Sequence, residues 1–129
     1  MKGQLKLDIG GKTILGQFGM YAIKLLTEKR GISMNDLGQL FDGVESDMIK
    51  AIDLLVDLVW SAIKNHNLIN DIDEDVNYHK LYNDFGQVDE SKYKEIFDKF
   101  LETQISGKTL NATSTDEADK EAKTSAKKK

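Results

Sequence analysis

The stretch from Ser46 to Asn65, SDMIKAIDLLVDLVWSAIKN, constrains this chain more than any other. Its apolar residues recur at helical spacing along two adjacent lines, Met48, Ile52, Leu55, Val59 and Ala62 on one and Ile49, Val56, Trp60 and Ile63 on the other. Leu54 and Leu58 widen the apolar surface, which leaves Lys50, Asp53, Asp57, Ser61 and Lys64 as a narrow polar strip. A helix apolar over most of its circumference has to be covered by other elements, so it is predicted to be the centre of the fold. About 20 residues give it a length of about 30 Å, close to the diameter of a small domain. Each large side chain it buries contributes about 1.5–3 kcal/mol before ordering entropy is subtracted. Lys50, Asp53 and Asp57 break any run approaching the ~18 apolar residues of a bilayer span.

At 129 residues the chain suits one domain with one core. The absence of Cys excludes disulfides, thiolate metal sites and a cysteine nucleophile, and fits a reducing compartment. The opening MKGQLKLDIGG has no hydrophobic signal region, which predicts a cytoplasmic protein. Charge is uneven along the sequence. Residues 1–105 carry 12 Lys/Arg against 18 Asp/Glu, whereas residues 106–129 carry 6 Lys against 4 acids. An acidic body argues against nucleic-acid backbone binding, which needs a clustered positive surface.

In chain order, Leu5, Leu7 and Ile9 alternate with polar neighbours as in a strand with one buried face. Gly10-Gly11 supplies a two-residue turn, and Lys12 to Gln17 returns as the second strand of a hairpin expected to lie on the helices. Gly19 to Arg30 reads as a helix with Met20, Ala22, Ile23, Leu25 and Leu26 inward, ended by Gly31. Ser33 reads as the cap of a short helix, MNDLGQLF, whose Met34, Leu37, Leu40 and Phe41 point inward. The central helix then begins with a capping box at Asp42 and Glu45, or at Ser46. Tyr78, Leu81, Tyr82 and Phe85 are spaced as one short helix. A last amphipathic helix spans Ser91 to Gln104, with Tyr93, Ile96, Phe97, Phe100 and Leu101 on one stripe. From Ser106 onward Leu110 is the single large apolar residue, which predicts a disordered tail. The expected fold class is mainly α, a small helical domain over 1–105 with an N-terminal β-hairpin, followed by a disordered polar tail over 106–129.

No catalytic motif is present. The run Asp71-Ile-Asp73-Glu74-Asp75-Val-Asn77 fails as a calcium loop. Counted from Asp71, position six is Val76 where a Gly is required and position twelve is Tyr82 where a carboxylate is required. It reads instead as a solvated loop that caps the following helix. His66 and His79 flank this polar segment, and two such histidines are more often surface residues than a catalytic or metal pair. No GxSxG, GxxxxGK[ST] or GxGxxG occurs. The aromatic residues Trp60, Tyr78, Tyr82, Phe85, Tyr93, Phe97 and Phe100 have core spacing, with a partner groove as the alternative. If the central and final helices share apolar surface with another chain, the residues predicted to bind that partner are Val56, Trp60, Ile63, Tyr93, Phe97 and Phe100.

The segment Leu5-Lys6-Leu7-Asp8-Ile9-Gly10-Gly11-Lys12, with Phe18-Gly19-Met20, Ala22-Ile23, Leu25-Leu26, Glu28-Lys29 and Gly31, makes up the pattern KLxIGGKxxxGxFGMxAIxxLxEKxG. Together with the helix from Ser46 to His66, it resembles the tail assembly chaperones of long-tailed bacteriophages over roughly residues 4–67. The resemblance implies a non-catalytic protein without a cofactor, acting in the host cytoplasm and absent from the mature virion. It further implies that the protein binds and solubilises the tape measure protein and helps recruit tail tube subunits, with no membrane or nucleic-acid partner. Family members commonly have a longer form made by ribosomal frameshifting, and the ending Lys127-Lys128-Lys129 is compatible with a slippery codon run or simply with a solvated basic tip. The competing expectation is an oligomeric structural protein of a phage particle, self-associating through the hairpin edges and helix faces.

Overall fold

The computed structural model describes residues 3–9, 11–105 and 108–109. The predicted disordered tail, with its basic tip, and Gly10 of the turn lie outside the described residues, apart from Lys108–Thr109. The chain is mainly helical with an N-terminal antiparallel hairpin. Strand β1 (Gln4–Ile9) pairs with β2 (Lys12–Gln17) in a register that sets Leu5 opposite Gly16, Leu7 opposite Ile14 and Ile9 opposite Lys12. The alternation read from the sequence places Leu5, Leu7 and Ile9 in the core and their neighbours in solvent.

Helix α1 (Met20–Arg30) ends at Gly31, which is left-handed at φ 67°. Ala22, Ile23 and Leu26 are buried as expected, and Thr27 joins them. Met20 does not: it is exposed because it occupies the first turn, ahead of the part of the helix that α2 covers. Residues Met34–Phe41 form a 3₁₀ segment broken at Asp36 rather than an α-helix. Only Leu40 of its four predicted inward residues is fully buried, Leu37 packs partly, and Met34 and Phe41 are exposed. Ser33 makes no backbone cap and instead donates its hydroxyl to Asp36 Oδ2 at 3.0 Å.

The central helix, α2 (Met48–Ile69), starts later and runs further than predicted. Asp47 is its cap, accepting from Ile49 N–H at 3.0 Å and Lys50 N–H at 3.4 Å, so neither the Asp42–Glu45 box nor Ser46 starts it. Its middle is enclosed on every side, with Leu54 to Val59 consecutively buried among β2, α1, α3 (Tyr78–Asp84) and α4 (Ser91–Leu101). The predicted polar strip is therefore not a wet one. Asp57 and Ser61 are buried, Asp53 and Lys64 are half-buried, and only Lys50 lies in solvent.

Gly16 accounts for how closely the hairpin seats on α2. A Cβ there would stand 2.9 Å from Ala62 Cβ and 3.3 Å from the Ala62 carbonyl carbon, so only hydrogen permits this approach. Asn65 Nδ2 fastens the far end of β2 by donating to Gln17 C=O at 2.6 Å. Helix α3 is capped by the Asn77 side chain, which accepts from Lys80 N–H at 3.0 Å, and a 3₁₀ turn, Phe85–Gln87, follows. Helix α4 stops at Leu101 instead of Gln104, because β3 (Gln104–Ile105) leaves the helix to pair with β4 (Lys108–Thr109).

Candidate interaction surface

The side of α2 facing α3 carries a cluster of charges and rings. The end of α1 brings Arg30 against it, with Nε 2.9 Å from Asp57 Oδ2. This contact is ionic without being an aligned hydrogen bond, since the buried Nε–H has no hydrogen-bond partner among the described residues. Tyr78 O–H donates to Asp57 Oδ1 and Tyr82 O–H donates to Asp53 Oδ1, each at 2.6 Å. Lys29 Nζ lies 4.1 Å from the Tyr78 ring centroid and 5.6 Å from that of Trp60, while Lys64 Nζ lies 5.3 Å from Trp60. Trp60 meets Tyr78 edge-on at 6.4 Å.

Both phenols resist ionisation. Burial, followed by the hydrogen bond to Asp57, pushes Tyr78 well above the ordinary tyrosine range. The hydrogen bond to Asp53, followed by burial, pushes Tyr82 up to about 12. In each case deprotonation would place a phenolate against a carboxylate that accepts its proton. Asp57 is occupied by two partners and is not free to act as a base, so the cluster's chemistry is that of a fastening between α1, α2 and α3.

The residues predicted to bind a partner fall into two groups. Val56 and Phe100 are fully buried, Phe100 in an edge-on contact with Phe18 at 5.6 Å, and their surfaces are taken up by this chain. Trp60, Ile63, Tyr93 and Phe97 are half-buried and pack on the core, Tyr93 stacked on Phe85 at 5.9 Å and Phe97 beside Phe41 at 5.7 Å. The structure does not gather these six into one exposed patch.

Exposed apolar surface lies instead at the two ends of α2. Met48 and Ile49 in its first turn are 60% and 62% exposed, and Leu68 and Ile69 in its last turn are 58% and 51% exposed. About 20 residues apart, the two pairs stand about 30 Å from one another. Ile72, just beyond the helix, and Leu15 on β2 are also exposed. Periodicity counted Met48 and Ile49 as core, and it missed Leu68 and Ile69 because they sit in the polar stretch after Asn65. The available signal was position: side chains in the terminal turns of a helix longer than its supporting layer extend past what covers the middle.

The acidic loop 71–75 is exposed, with Asp71 at a positive φ of 56°. Among the described residues no group of three or more His, Cys, Asp or Glu is placed to hold a metal ion. His66 Nδ1 lies 3.3 Å from Asn70 Nδ2, whereas His79 meets the Tyr78 ring, so the two histidines have separate surroundings. No described helix is long and apolar enough to cross a membrane. Compared with protein-family models, with characterised proteins and with solved structures, the chain matches none.

Proposed function

We propose that this chain is a tail assembly chaperone of a long-tailed bacteriophage, a non-catalytic binding protein that keeps the tape measure protein soluble and helps bring tail tube subunits to it. Beyond the sequence resemblance over residues 4–67, the observation that carries this reading is the exposure of Met48, Ile49, Leu68 and Ile69 at the ends of an otherwise enclosed helix. Fully burying a large apolar side chain gains about 1.5–3 kcal/mol, and these four, 51–62% exposed, have roughly half of that still to gain on being covered. An apolar stripe on a long helical client would supply that cover, and the acidic body would keep the complex in solution. The test is co-expression with the tape measure protein of the same gene cluster, followed by co-purification. A client that becomes soluble and co-elutes with this chain supports the reading. A client unaffected by the chain, with the chain abundant in purified virions, overturns it in favour of a structural protein.

A further inference from the structure

Four consecutive residues of β2, Lys12, Thr13, Ile14 and Leu15, line one wall of an open hollow of about 400 Å³. Consecutive strand side chains alternate between faces, so a hollow touched by all four meets the strand at its edge. Ile63 on α2, Ile72 and Val76 in the following loop and Leu81 on α3 supply apolar surface opposite.

The ladder shows which backbone groups face this hollow. Phe18 N–H donates to Gly3 C=O at 2.9 Å, and these two residues continue the β1–β2 register. Hydrogen-bonded pairs alternate along an antiparallel ladder, so Leu5–Gly16, Leu7–Ile14 and Ile9–Lys12 exchange the inner bonds. The backbone groups of Thr13, Leu15 and Gln17 therefore turn outward. Gln17 C=O does so and is taken by Asn65. Those of Thr13 and Leu15 have no hydrogen-bond partner among the described residues.

We propose that this edge is a strand-addition site, in which an extended segment of a partner protein, alternating apolar and basic side chains, pairs with Thr13 and Leu15 as a third strand. Val76 of the loop and Leu81 of α3 line the same hollow as the edge, so the occupant proposed is a single extended segment and not another copy's sheet. Its charged lining favours a basic occupant: Glu74, Asp75 and Asp84 outnumber Lys12 and Lys80, and Asp71 and Asp73 lie on the same loop. The inference goes beyond the chaperone reading and holds for any client that presents such a segment.

The experiment is amide hydrogen exchange on the full chain, free and with two eight-residue probe peptides, one alternating Val and Lys and one alternating Val and Glu. In the free chain Thr13 and Leu15 amides exchange faster than those of Leu7 and Ile14. The Val-Lys peptide protects them by about tenfold or more, and the Val-Glu peptide binds about tenfold more weakly. Leu15→Pro removes an outward N–H, leaves the β1–β2 ladder in place and abolishes binding, with the melting temperature reporting that the fold is kept. Thr13→Pro serves the same purpose if Leu15→Pro does not fold. Binding unchanged in a folded proline variant overturns the proposal, as does binding of neither peptide. Thr13 and Leu15 already protected in the free chain overturn it too: protection independent of concentration assigns the edge to this chain's own terminal segment, and protection that grows with concentration assigns it to a second copy.

Discussion

Asp57 and Arg30 form an ion pair across the α1–α2 contact, Oδ2 to Nε 2.9 Å apart, with side chains 8% and 25% exposed. The same carboxylate accepts from Tyr78 O–H, so one buried charge fastens three helices. Removing a partner from such a group leaves the others desolvated and unsatisfied, which costs more than the pair itself contributes. Asp57→Ala is expected to destabilise by about 2–3 kcal/mol, below the ~3–5 of a fully buried pair because a quarter of the Arg30 side chain reaches solvent. Equilibrium unfolding in urea measures it. A loss within ±0.5 kcal/mol, the range of an ordinary surface change, would show that the pair holds nothing together.

Alkaline pH loosens the same region. Tyr78 and Tyr82 are held above the ordinary tyrosine value of 10.0, Tyr82 at about 12, so between those values the folded state keeps protons that the unfolded chain has released. The contribution to stability is complete below pH 10 and is lost as pH rises through the folded values. Melting temperature is expected to fall between pH 10 and 12, and more shallowly in Tyr82→Phe. Parallel curves for the two proteins would remove Tyr82 from the account.

Gly16→Ala is expected to destabilise by about 1–3 kcal/mol, the usual cost of overpacking. The added methyl meets Ala62 Cβ at 2.9 Å and backbone atoms behind it, which have no room to retreat. Thermal melting of the variant checks this. The pair Gly16→Ala with Ala62→Gly should recover part of the loss by relieving the Cβ contact, at the cost of a glycine inside α2.

Replacing the exposed ends of α2 separates binding from folding. Ile49→Glu and Leu68→Lys place charges that suit the helix termini and leave stability within about 0.5 kcal/mol. Capture of the tape measure protein on co-expression is expected to fall in the double variant. Full capture by a folded double variant would show that client binding lies elsewhere on the molecule.

Much of the architecture was legible in local pattern. The alternation of Leu5, Leu7 and Ile9, the glycine stop at Gly31 and the spacing of Leu54, Leu55, Leu58 and Val59 each follow from local sequence alone, and all three features hold in the structure. Positions that depend on a neighbour were not legible. Asp57 looks like a solvent residue by hydropathy, yet it is buried because Arg30 and Tyr78 arrive from elements 27 residues before and 21 after it. Met48 and Ile49 look like core residues, yet they are exposed because no layer reaches the first turn of α2.

The candidate sites divide in the same way. Local periodicity was enough to specify a hairpin and helices around one apolar rod, because secondary-structure periods are set by residues within a few positions of one another. Which apolar residues stay uncovered and which strand edge stays open emerge only once the elements are packed together. Both depend on where distant layers end, and the energy of covering a side chain or pairing an edge belongs to that contact and not to the residue alone.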